Sequence, residues 1–124
     1  MRELVTIVVA AILGSILFHV GPIAAENPRK LSGTQIRTKL AGMQLTDEVH
    51  FREVYDRDGT LRNYSNGRKT VGKWAIEKDE VCVYFKEPDD GCYEVWLSGK
   101  RIEMKPSGLG LTINGILQVP TDRN

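Results

Sequence analysis

Two cysteines, Cys82 and Cys92, with Pro88-Asp89-Asp90-Gly91 between them, constrain this chain more than any other feature. They lie in its densest apolar alternation, between Val71-Gly72-Lys73-Trp74 and Tyr93-Glu94-Val95-Trp96, which reads as the centre of a β-sheet. A simple hairpin turning through Glu87 to Gly91 sets Lys86 opposite Cys92 and Cys82 opposite Trp96. The cysteines are then about four residues out of register, on the order of 13 Å apart along the strand and beyond the ~7 Å Cα limit of a disulfide. Either the thiols stay free, or Cys82 pairs near Cys92 and the residues between them stand out as a wide loop. The second is expected, because free thiols are a liability in an oxidising compartment and a projecting loop costs little closure entropy. On that reading Tyr84, Phe85, Asp89 and Asp90 are displayed on a disulfide-closed loop, the candidate partner-binding element.

The compartment is inferred from the amino terminus. Arg2 and Glu3 precede an apolar run from Leu4 to Val20, and Pro22 and Ala24-Ala25 follow. This pattern predicts a signal peptide over residues 1–25, cleaved after Ala25, with the mature chain starting at Glu26. An uncleaved anchor is the rival reading, since the run is near the ~17-residue lower limit for crossing a bilayer. Residues 26–30 read as a leader, 31–119 as a single β-rich domain and 120–124 as a disordered tail. Lys and Arg total 17 against 16 acidic residues, and they are scattered. Without a basic face, nucleic acid and stable membrane association after cleavage are both excluded as expectations. The expected state is a monomer, and the expected partner an envelope or extracellular protein.

Leu31-Ser32-Gly33-Thr34-Gln35-Ile36 predicts a helix start, with Ser32 and Gln35 as a capping box and Leu31 and Ile36 as a hydrophobic staple. Ile36 and Leu40 share one face, and Gly42 ends the helix. From Met43 the period changes to two. Val49, Phe51 and Tyr55 alternate with His50, Arg52 and Val54, and further strands are expected over Thr60–Ser65, Thr70–Ile76, Val81–Phe85, Cys92–Leu97 and Arg101–Lys105, with a closing strand or hairpin near the carboxyl terminus. The fold class is therefore mainly β (α+β): a short N-terminal helix packed on an antiparallel meander of about six to eight strands, curled into a half-barrel or small barrel.

Chemistry-bearing patterns are sparse. His50 has no second histidine in the mature chain, which argues against a zinc or copper site of ordinary composition and against catalysis. Asp56-x-Asp58-Gly59 begins like a calcium loop, but its twelfth position is Gly67, so a turn is expected. Gly108-x-Gly110 lacks the following Lys-Ser or Lys-Thr of a phosphate cradle. The carboxylate pairs Asp79-Glu80 and Asp89-Asp90 fall in turns. No catalytic, cofactor-binding or metal-binding residue is assigned. The aromatic set of Phe51, Tyr55, Tyr64, Trp74, Tyr84, Phe85, Tyr93 and Trp96 either fills the core or lines a barrel cavity, and core filling is the commoner use.

The Gly72-Lys73-Trp74 triplet is similar to the Gly-x-Trp of lipocalins, although here it follows a helix and two strands instead of opening the first strand. More broadly, the chain resembles a family of small exported alphaproteobacterial proteins of unknown function. The shared pattern is the helix over Ser32 to Leu40, the Asp58-Gly59 turn, Gly72-Lys73-Trp74, Cys82, and Cys92-Tyr93-Glu94-Val95. It implies a fold and no catalytic residues. The functional expectation is an exported, non-enzymatic small β-domain that binds a protein partner or acts as an accessory, with a small-ligand carrier as the alternative.

Overall fold

A computed structural model describes Gly14, residues 27–86, Pro88 and residues 90–121. The expected signal peptide, Gly14 apart, lies outside the described residues, as do Asp89 and residues 122–124. Eight strands follow one another up and down: β2 (Met43–Thr46), β3 (Phe51–Tyr55), β4 (Thr60–Ser65), β5 (Arg68–Glu77), β6 (Glu80–Tyr84), β7 (Gly91–Ser98), β8 (Arg101–Pro106) and β9 (Ile113–Gln118). Each pairs antiparallel with the next, and β9 pairs with β2 through Gln44↔Gln118, Leu45↔Leu117 and Thr46↔Ile116. The ring is closed. Closure pairs every strand of the ring with a neighbour on each side over at least part of its length.

Two short elements precede the ring, β1 (Arg29–Lys30) and the helix α1 (Gly33–Leu40). β7 meets β6 only through Val81↔Tyr93, Cys82↔Cys92 and Val83↔Gly91. Farther along the same strand, Arg29↔Leu97 and Lys30↔Trp96 pair β1 with β7, and Leu31 donates its N–H to the Val95 carbonyl at 2.8 Å. Residues 29–30, read from sequence as leader, thus form a strand that meets backbone groups of β7.

The helix starts as its sequence dictates. Ser32 Oγ accepts from the Gln35 N–H, and Gln35 Oε1 accepts from the Ser32 N–H at 2.9 Å, which is the full capping box. Gly33 sits so close to the β5–β6 turn that a Cβ there would lie 2.4 Å from the Lys78 carbonyl, while its N–H donates to Asp79 Oδ1 at 2.8 Å. That contact pins the helix start. Ile36 and Leu40 are fully buried with Leu31 and pack on the inward side chains Leu45, Tyr55, Leu61, Trp74, Val81 and Val95. At this end Trp74 meets Tyr55 edge-on, with ring centroids 5.5 Å apart, and its Nε1–H donates to the Asp56 carbonyl at 2.8 Å. The helix end of the barrel is therefore filled by apolar side chains.

Register separates the wall's two faces. Side chains of Tyr55, Leu61, Trp74, Tyr93, Met104 and Leu117 point in, whereas Arg52, Tyr64, Cys82, Cys92, Trp96 and Lys105 share the outer face. Val49, expected on a strand, instead lies 79% exposed in the β2–β3 turn. That turn is held by Asp47 Oδ1, which accepts the N–H groups of Val49, His50 and Phe51.

Cys82 and Cys92 are bonded and directly opposite, with Cα atoms 3.9 Å apart. The wide loop is the arrangement adopted. Replacing both cysteines by Ala should lower unfolding free energy by roughly 2 to 3 kcal/mol, the value expected for closing a loop of this size. Urea unfolding with and without reductant checks this: the double variant should match the reduced protein and fall below the oxidised one.

Candidate functional site in the barrel mouth

The four connections at the end away from α1 are residues 47–50, 66–67, 85–90 and 107–112. A recess of about 540 Å³ opens at this end beside Asn66 of the β4–β5 connection and Phe85 and Asp90 of the β6–β7 connection. Its polar wall comes from three neighbouring strands. Glu53 on β3 pairs with Asn63 on β4, and Asn63 pairs with Thr70 on β5, so the three side chains form one inward row. Its apolar wall comes from Val83 of β6, Phe85 just beyond it, Tyr93 of β7 and Ile113 of β9. Arg68 lines the rim, where it is exposed.

Glu53 is the chemically unusual member. Burial pushes its carboxyl above the ordinary value of 4.5, and this outweighs the lowering by the Tyr55 hydroxyl, which donates to Oε2 at 2.7 Å. Tyr55 is in turn raised well above 10.0, by its own burial first and then by the adjacent Glu53 charge. Next to this pair, Asn63 Oδ1 is buried without a hydrogen-bond partner. A recessed acid and an orphaned acceptor in one row are costly in a folded interior. Apolar side chains at these positions would fill the space better.

The residues expected on the loop do not form one patch. Tyr84 is the last residue of β6, points outward and is 44% exposed, and its hydroxyl donates to Glu77 Oε2 at 2.9 Å. Phe85 turns the other way and packs against the core, its ring lying where a Cβ on Gly72 would meet it at 2.5 Å. Asp90 braces the loop, accepting from the N–H groups of Phe85 and Lys86 at 2.7 Å each. Two of these residues, Phe85 and Asp90, line the recess, and Asp89 lies outside the described residues.

Other sequence candidates have local duties. His50 Nδ1 is 2.7 Å from Asp47 Oδ2 on the surface. Asp56 holds Arg62 through two bonds of 2.9 and 3.0 Å, and Asp58 Oδ1 accepts from the Thr60 N–H, so both carboxylates serve their turn. Glu77 approaches the two sulfurs, but bonded sulfurs are not thiolates and so are not metal ligands. The aromatic set divides three ways: Tyr55, Trp74 and Tyr93 are buried, Phe51 and Phe85 are half-buried near the mouth, and Tyr64, Tyr84 and Trp96 lie outside, Tyr64 and Trp96 under Arg52 and Lys105.

Comparison with protein-family models, curated proteins and solved structures returns no match. The disulfide points to an oxidising, extracytoplasmic location. No helix among the described residues is long and apolar enough to cross a membrane.

A raised carboxyl pKa fixes the sign of a pH effect. The folded state binds this proton more tightly than the unfolded state, so the contribution is full below about pH 4.3 and is lost as pH rises through the folded value. Glu53→Gln, which keeps an acceptor for Tyr55, should be more stable than the wild type near neutral pH, with the gap narrowing as pH falls toward 4. Urea midpoints of both proteins between pH 4 and 8 test this. A gap that does not change with pH would contradict it.

Proposed function

We propose that the protein is an exported, non-enzymatic binding protein that carries a small molecule in the mouth of its barrel. The observation that carries this reading is the unequal filling of the interior: apolar side chains and α1 close one end, while the other ends in a recess with one polar and one apolar wall. Small-molecule sites are typically concave, mostly apolar and equipped with a few convergent polar groups. The finer localisation, periplasmic or secreted after cleavage near Ala25, belongs to the same proposal and rests on the N-terminal pattern of residues 1–25 together with the disulfide. So does membership of the alphaproteobacterial family named above, which rests on its shared motifs alone.

A second reading, a protein partner, is favoured by the rim. Val49, Leu109 and Leu111 are 79%, 108% and 88% exposed, and all three lie on mouth-side connections. Exposed apolar groups gathered at one end of a small domain suit a protein contact. This moves the expected surface from the disulfide-closed loop alone to several loops.

Native mass spectrometry of the protein purified from an envelope extract separates the two. Carriage predicts a non-covalent small-molecule adduct that disappears in Thr70→Phe, where a ring enters the recess from its polar wall, while the fold is retained by circular dichroism. An adduct-free wild type, with an envelope protein captured through Leu109 and Leu111, would favour the second reading.

A further inference from the structure

Building on the small-molecule reading of the mouth, we propose that the ligand is a primary amine with an apolar body, its ammonium seated on Glu53 and its hydrocarbon against Val83, Phe85, Tyr93 and Ile113. The polar row defines the head group. Glu53 accepts one hydrogen from Tyr55, which leaves most of its carboxylate lone pairs open to the recess. Asn63 on the paired strand lines the same wall, with its Oδ1 buried beneath the surface of the recess. The open lone pairs of Glu53 need donors, and an ammonium brings three on one atom.

The alternatives fit less well. A carboxylate or phosphate would bring acceptors to acceptors and negative charge to Glu53. A neutral alcohol brings a single proton and no charge to set against the carboxylate. The other charged groups facing the recess do not reverse this preference. Asp90 is also acidic and is engaged by the Phe85 and Lys86 N–H groups, while Arg68 is exposed at the rim. A cation at the floor also opposes the desolvation that keeps the Glu53 carboxyl reluctant to ionise. The facing wall then takes the hydrocarbon, with Tyr93 and Phe85 supplying aromatic surface of the kind that suits a cation's attached chain.

Calorimetric titration of the oxidised, exported protein with 2-phenylethylamine and with 2-phenylethanol, its neutral counterpart, tests the inference. The amine should bind about tenfold or more tightly than the alcohol, as expected for a charged hydrogen-bonded head group. Glu53→Gln should bring the amine down to the alcohol, with the carboxyl carbon resonance of Glu53 shifting when amine binds to wild type. Equal affinity for amine and alcohol would overturn the amine assignment and leave small-molecule carriage standing. Binding of neither probe, with no adduct on the purified protein, would overturn both.

Discussion

Ile36 and Leu40 of α1, packed across one end of the ring, set the conditions for everything else in the molecule. An eight-stranded barrel encloses a space that its own inward side chains can only just fill. Here one end receives Tyr55, Leu61 and Trp74 from the strands and two aliphatic side chains from the helix, all of them buried. The opposite end receives no helix. Inward positions there include Glu53, Asn63 and Thr70 on one wall and Val83, Tyr93 and Ile113 on the other, with the recess between them. The recess is thus the complement of the helix: an apolar stopper at one end places the remaining volume at the other.

The same asymmetry explains which parts of the fold were legible in the sequence. The helix could be placed to the residue because capping is local, and Ser32 and Gln35 carry the whole signal. Most strands were legible because each inward residue alternates with a polar one, and the cysteine spacing carried the register of the β6–β7 pair. Residues 29–30 escaped because β1 has no pattern of its own and exists through the partner that β7 offers. Val49 misled because an apolar residue two before Phe51 continues the alternation, whereas Asp47 gathers three N–H groups and bends the chain there.

The site residues were harder to see for a related reason. Phe51, Glu53 and Tyr55 occupy alternate positions of one strand, so a charged residue stands on the inward face between two aromatic ones. That break in the alternation was the available signal, and it is easily passed over as an exposed charge. Phe85 was mistaken for a displayed residue because its direction depends on Gly72 across the sheet, a long-range fit that local composition does not encode. Once the register is known, Glu53, Asn63 and Thr70 fall into one row, and the energetic tension of burying the Glu53 carboxyl becomes a statement about what the recess accepts.

The position of the disulfide has a consequence for how such a scaffold can change. The bond joins directly opposed residues at the base of the 85–90 connection, so the register of β6 against β7 is fixed independently of the residues above it. Length and composition can therefore drift in that segment without shifting the ladder beneath. Because Phe85 and Asp90 also border the recess, such drift reshapes one side of the mouth while the acid-bearing row on the far wall stays in place. The cross-link acts as a boundary between the strand ladder beneath it and the connection above it, so that a change in one need not disturb the other.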